Sequence, residues 1–237
     1  YTGKILHVNL TKGELNVEEP EEQFYRTYMG GSAMGLHYVL KETPAGIDAL
    51  SPENVLALCT GVVTGTPISG QSRLSSVAKS PLTGCIGDAQ GGGFFPAEMK
   101  FSGFDAVIIK GKSPKPVYIW MHHGEAELRD AGHLWGLTTG DAEDKLKAEL
   151  EDKRIEVLQI GPAGENLVRF SALISMSNRA NGRTGMGAVM GSKNLKAVVV
   201  RGKQKPSIAR PETFKSLQKW GTANLEATGM DGFGKSF

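Results

Sequence analysis

Phe104–Lys112 reads FDAVIIKGK, and Leu195–Lys203 reads LKAVVVRGK. Two further matches lie upstream of this pair. Ser72–Ser80 (SRLSSVAKS) resembles Val168–Met176 (VRFSALISM), which aligns Arg73 with Arg169, and Val55–Gly61 (VLALCTG) resembles Val157–Gly164 (VLQIGPAG). Three matches in the same order are the mark of a duplicated unit. Each copy runs strand, Gly-containing turn, strand with a leading Arg, Gly-rich loop, short helix, and a last apolar strand ending in basic-Gly-Lys. Such a duplication folds as a pseudo-twofold pair, and a twofold host suits a twofold ligand.

The flanking segments fit an α+β frame. Alternation in Leu6, Val8 and Leu10, a Thr11-Lys12-Gly13 turn, then Leu15 and Val17 predict a hairpin. Pro20 opens a short helix with Phe24 and Tyr28 four apart, and Met34 and Leu36 to Leu40 form a second. Asn54 to Leu58, Leu74 to Ala78, Ala106 to Ile109, Val117 to Met121, Ile155 to Ile160, Phe170 to Ile174 and Ala197 to Val200 read as strands. Ala142, Leu146 and Leu150 share one face of a helix capped by Thr139 or Asp141.

Composition narrows the class. The chain has 237 residues, 40% hydrophobic and 22% charged, with net charge +2, as in a globular protein. No apolar run approaches the ~20 residues of a membrane span, so no membrane is expected and the expected compartment is the cytoplasm. Two cysteines, Cys59 and Cys85, cannot hold a four-ligand iron–sulfur cluster. Cys59, in an apolar strand, reads as an inert buried thiol, and Cys85 as a structural one. His122, His123 and His133 lack metal-ligand spacing and read as surface or turn residues. The opening at Tyr1 without Met, and the run GMDGFGKSF to Phe237, read as part of a longer polypeptide.

Glycines cluster where acids are missing. Gly84, Gly87 and Gly91-Gly92-Gly93 mark the first half, and Gly182, Gly185, Gly187 and Gly191 the second. No carboxylate side chain lies from Asn166 to Pro211, a span carrying Arg169, Arg179, Arg183, Lys193, Lys196, Arg201, Lys203, Lys205 and Arg210, and none lies between Glu53 and Asp88. Glycine lets the main chain approach a ligand, and successive N–H groups make an anion nest, so a phosphate-bearing ligand is expected. Gly185 to Gly191 spells GxGxxxG, which keeps an NADP-binding domain as a distant alternative. The match is weak, because a polar stretch precedes it and no acid follows before Glu212. Nucleic acid is disfavoured: the basic span holds one aromatic, Phe170, placed in an apolar strand.

At this point a family resemblance is carried by KILHVNLTKG from Lys4, LSPEN from Leu50, KSPLTG from Lys79, GGGFFPAEMKFSGFDAVIIKGKSPKPVYI from Gly91, IGPAGENLVRFSA from Ile160 and GRTGMGAVMGSKNLKAVVVRG from Gly182. From Gly3 to about Lys203 the sequence resembles the N-terminal domain of the aldehyde:ferredoxin oxidoreductase family, the tungsten (or molybdenum) bis-pterin enzymes. The resemblance implies an α+β saddle of two intertwined pseudo-twofold β-rich repeats with short flanking helices. It places Arg73, Gln90, Gly92, Arg179, Ala180, Gly182 and Arg183 at the cofactor, with the Ala180 carbonyl and Gln90 beside a magnesium ion that bridges the pterin phosphates. Gln90 departs from the family's Asn, and Ser32-Ala33 from its Arg-Gly. Residues 1–205 then form the cofactor-binding domain, and 206–237 a linker and first helix, with Phe214, Leu217 and Trp220 in a stripe, leading into a helical domain.

The reaction implied is aldehyde plus water giving carboxylic acid, with electrons leaving through a 4Fe-4S cluster in later domains to ferredoxin. The resemblance implies helical domains or a partner subunit, and leaves room for a homodimer. Glu98 reads as a structural hydrogen-bond partner, and no catalytic base is assigned to it or to Asp105. The alternatives are the same cofactor domain in an aromatic thioester-reducing subunit, or a binding module without catalysis.

Overall fold

The computed structural model describes residues 1–224; the closing Gly-rich run lies outside them. β1 (Ile5–Asn9) and β2 (Glu14–Glu18) form a hairpin, followed by α1 (Glu22–Tyr28) and α2 (Gly31–Glu42). Then come β3 (Leu56–Thr60), β4 (Leu74–Lys79), β5 (Ile86–Gly91), α3 (Phe95–Phe101) and β6 (Ala106–Lys110). The second half repeats this with β7 (Val117–His122), β8 (Glu125–Asp130), α4 (Thr139–Glu149), β9 (Glu156–Gln159), α5 (Pro162–Glu165), β10 (Leu173–Ser175), β11 (Arg179–Asn181), α6 (Met186–Ser192) and β12 (Leu195–Arg201). A last helix, α7 (Pro211–Ala223), buries none of its side chains.

The two six-stranded mixed sheets have one topology. The first is ordered β2-β1-β6-β3-β4-β5; the second, from its other end, is β8-β7-β12-β9-β10-β11. In each, the opening strand pairs in parallel with the last, β1 with β6 and β7 with β12, while the other ladders are antiparallel. The fold is therefore α+β, as expected, and the duplication extends to the hairpins, which share no legible sequence match.

Period-two alternation sorts the strands onto three cores. Leu56, Leu58, Val107 and Ile109 face inward to meet Leu158, Val198 and Val200 of the second sheet. Ala57, Cys59, Ala106 and Ile108 face outward under Met34 and Tyr38 of α2, and Val157, Ala197 and Val199 face outward toward Leu146 of α4. The halves also exchange helices. α3 packs on β9 and β12, whereas α6 reaches β3 and β4 as well as β12. Phe95 and Met99 of α3 and Met186, Val189 and Met190 of α6 fill the shared core.

Ladder registers correct the repeat alignment. With Ala106 matched to Ala197, their partners are Cys59 and Gln159, whose partners in turn are Ser75 and Ile174. Val157 therefore corresponds to Ala57, not Val55. That two-residue slip keeps every side chain on its face, which is why the shorter match looked sound. Arg73 corresponds to Ala172, and Arg169 lies three residues earlier: the two arginines are not equivalents.

Three local expectations also change. The cap of α4 is Thr138, whose Oγ1 accepts the Asp141 N–H at 3.3 Å, rather than Thr139 or Asp141. Phe170 precedes β10 and is 70% exposed, so it is not a core strand residue. Cys59 is buried, but Cys85 is exposed.

Candidate anion-binding site

β5 and β11 are edge strands, and they meet where the halves join. Ser75 pairs with Gln90 and Ile174 with Ala180, so Gln90 and Ala180 occupy one register position in the two copies, and Gly91 corresponds to Asn181. Gly92 and Gly182 follow each strand. Asn181 is buried, and its Nδ2 donates to the Ala89 carbonyl at 3.1 Å and to Ser76 Oγ at 2.9 Å. A Cβ on Gly91 would overlap Asn181 Oδ1. The second half is thus bolted into the first through a residue and its own counterpart.

Beside this joint lies a hollow of about 350 Å³, lined by Gly70, Gln71, Ser72, Arg73, Gly92, Gly93 and Arg179. Arg73 and Arg179, one from each half, share it, and no carboxylate lines it. Ser72 Oγ donates to the Gly93 carbonyl at 2.6 Å, tying the two walls. A Cβ on Gly92 would stand 4.0 Å from Arg73 Nη1, so main chain lies directly beneath that guanidinium. Two exposed guanidinium groups over glycine backbone, with no internal acid, form a receptor for an anion with several oxygens. The hollow offers no general acid or base.

The remaining expected residues lie near it without lining it. Ala180, Gly182 and Arg183 are exposed on β11 and the run after it. Gln90 donates from Nε2 to Ser32 Oγ at 3.2 Å, and Ser32 Oγ is 3.1 Å from Ser75 Oγ. Gln90 and Ser32 are thus in contact with each other.

Other sequence signals acquire structural roles. Arg169 lines a different cavity of about 430 Å³, with Lys79 and the loop Gly46 to Leu50. Three cations of the acid-poor span are internal. Lys196 pairs with Glu165 at 2.5 Å, Arg201 pairs with Glu98 and Asp152, and Lys193 is buried against the carbonyls of Pro52 and Gly111. Burial pushes the Lys193 ammonium down to about 7. Charge depletion along the chain therefore overstated the positive field available to a ligand. Glu98 accepts hydrogen bonds from Arg201 and the Gly202 N–H, a structural role as expected. Asp105 is buried in an ion pair with Lys100 and does not line the hollow.

The GxGxxxG glycines serve helix packing. A Cβ on Gly187 would come within 2.6 Å of the Ala172 carbonyl, and one on Gly191 would overlap the Gly164 carbonyl of α5. They bring α6 against its own half, a packing role that accounts for their spacing. Among the described residues, no group of three or more His, Cys, Asp and Glu can hold a metal ion, and no helix is long and apolar enough to cross a membrane.

Residues 5–202 match the family described as the aldehyde ferredoxin oxidoreductase N-terminal domain. The tungsten-containing aldehyde ferredoxin oxidoreductase of Pyrococcus abyssi is 47% identical over 214 residues, covering 90% of this chain and 35% of that protein. The aliphatic sulfonate oxidoreductase, WOR-like subunit, of Pyrococcus furiosus is 32% identical, covering 98% of this chain and 41% of its own length. The chain thus spans about a third to two fifths of these relatives. A solved structure, the active site complex BamBC of benzoyl coenzyme A reductase with 1,5-dienoyl-CoA, superposes with a TM-score of 0.92 at 35% identity, covering 95% of this chain and 34% of that one. With the repeat topology, the glycine backbone and the paired arginines set beside these matches, the chain belongs to the aldehyde ferredoxin oxidoreductase N-terminal domain family.

Proposed function

We infer that this chain is the cofactor-binding domain of a tungsten (or molybdenum) bis-pterin oxidoreductase that oxidises aldehydes to carboxylic acids. The observation that carries the reading is the acid-free hollow in which Arg73 and Arg179 converge from the two repeats over Gly92. It fits one phosphate-bearing end of such a cofactor in charge and in main-chain access. Arg73 and Arg179 hold phosphate oxygens there, Arg183 adds charge from the exposed run after β11, and Gly182 repeats for the second half what Gly92 does for the first. Gln90 and the Ala180 carbonyl, at matched register, are the oxygen donors available to magnesium. The bound metal would supply two-electron chemistry to the aldehyde. This chain's residues orient the phosphates and neutralise their charge. The 4Fe-4S cluster, the path to ferredoxin and the substrate pocket are assigned to the remaining two thirds of a relative-length protein or to a partner subunit.

The test is metal and pterin analysis of the full-length protein carrying Arg73→Ala, Arg179→Ala or both. Each single change is expected to lower tungsten and pterin content roughly tenfold, about the worth of one charge-assisted contact. Full occupancy in the double variant overturns the reading. The likeness to the benzoyl coenzyme A reductase complex supports a second reading, in which the same cradle serves reduction of an aromatic thioester. Turnover of aromatic CoA esters without turnover of aldehydes would select it.

A further inference from the structure

The hairpin turn that delivers Arg179 to the hollow is built against local preference. Asn178 N–H donates to the Ser175 carbonyl at 3.2 Å, and the two residues between, Met176 and Ser177, have φ of 52° and 55°. This is the left-handed region that Asn and Gly normally occupy in tight hairpin turns, and here it opens a three-residue loop, because Ser175 pairs with Arg179 across the ladder. Neither residue suits it, so contacts outside the turn hold it there. On one side, Met176 Sδ accepts the Phe94 N–H at 3.1 Å. A Cβ on Gly93 would approach Met176 Sδ to 2.6 Å and Arg179 Cγ to 3.1 Å, so the turn lies flat on the glycine run of the first half. On the other side, Ser177 Oγ donates to Glu143 Oε2 at 3.1 Å. Glu143 is 8% exposed, and Lys147 Nζ donates to its Oε1 at 2.6 Å, which leaves the carboxylate fixed in direction.

We propose that Glu143 of α4 is a positioning residue for the anion-binding hollow: through Ser177 it holds the left-handed turn that sets Arg179 over Gly93. The assignment rests on the reading of the hollow as a phosphate site and adds a residue outside it. It carries an unusual sign. A carboxylate acting only through its charge weakens anion binding, so its removal would tighten binding. A carboxylate that positions Arg179 does the reverse.

The probe is inorganic pyrophosphate titrated into the 237-residue chain by calorimetry, with thermal unfolding recorded for each variant. Glu143→Ala and Ser177→Ala are expected to weaken pyrophosphate binding roughly three- to tenfold, the worth of one lost hydrogen bond. Amide exchange at Asn178 to Asn181 should quicken in both. Glu143→Gln, which keeps an acceptor for Ser177, is expected to bind at least as well as the parent. Unchanged or tighter binding in Glu143→Ala together with Ser177→Ala overturns the proposal. Ser177 is exposed, so its variant keeps the fold should loss of Glu143 leave Lys147 disruptive. Arg73→Ala and Arg179→Ala separate the two claims. If they leave pyrophosphate binding intact, the hollow reading fails and the proposal falls with it. If they abolish binding while the Glu143 and Ser177 variants do not weaken it, only the positioning role fails.

Discussion

The two halves share a topology yet solve the same buried position with opposite charges. At the start of the last strand of each repeat, the first half has Asp105 and the second Lys196, both fully enclosed. Asp105 takes Lys100 Nζ and the N–H groups of Thr2 and Gly3. Lys196 Nζ donates hydrogen bonds to Glu165 and to the Leu137 carbonyl, while Glu165 also accepts the Gly136 N–H. Burial alone would raise the Asp105 carboxyl, but Lys100 and the two backbone donors hold it below the usual carboxylate range. The fold requires a neutralised pair at this point, and nearby main-chain donors decide which partner is the acid. Polarity is a local matter even where architecture is duplicated.

The largest effect should come from breaking one of these pairs. Asp105→Ala leaves Lys100 enclosed without its counter-ion and is expected to cost about 3–5 kcal/mol in denaturant unfolding. Copying the other half's polarity, with Lys100→Glu and Asp105→Lys together, should not restore stability, because Thr2 and Gly3 lose their acceptor. Recovery in that double variant would show that polarity is arbitrary. A smaller effect is expected at the joint, where Gly91 and Asn181 fill equivalent positions. Gly91→Ala drives a methyl into a side chain held by its own hydrogen bonds and should cost about 1–3 kcal/mol, against the usual range for overpacking. Adding Asn181→Gly should return part of that loss, and additivity of the two changes would refute their contact.

The smallest effect separates the caps of α3 and α6, where Ser102 and Lys193 correspond. Lys193 has a folded-state value of about 7 against roughly 10.4 unfolded. Between those values the unfolded chain binds a proton that the folded chain does not, so stability should rise as pH climbs from 7 to 10. Lys193→Met is expected to flatten that rise and to gain roughly 1–2 kcal/mol at pH 7, after the loss of two carbonyl contacts. An unchanged pH slope would mean that the ammonium is solvated.

Much of this architecture could be read in the chain. Uninterrupted β-branched apolar runs such as Val107 to Ile109 and Val198 to Val200 suit strands buried on both faces, and their repetition exposed the duplication. β5 and β11 escaped notice because Ile86-Gly87-Asp88-Ala89-Gln90-Gly91 and Arg179-Ala180-Asn181 are short, small or polar, as edge strands commonly are. They are the strands that carry the site. Arg73, Gly92 and Arg179, which the resemblance singled out, line one hollow. Glu143 and Ser177 gave no signal, since a helix carboxylate and a loop hydroxyl acquire meaning only when folding brings them within 3.1 Å.

The chain by itself determined the apolar strands, the duplication and the acid-poor glycine runs, because hydrophobic runs, repetition and charge spacing are properties of neighbours along a polymer. Only the tertiary structure decided which cations face outward, how the copies align and which helix serves which sheet. Those outcomes depend on desolvation and on backbone partners that lie tens of residues away: Lys193 and Arg179 look alike in sequence, yet one is enclosed by carbonyls and the other stands over an open hollow.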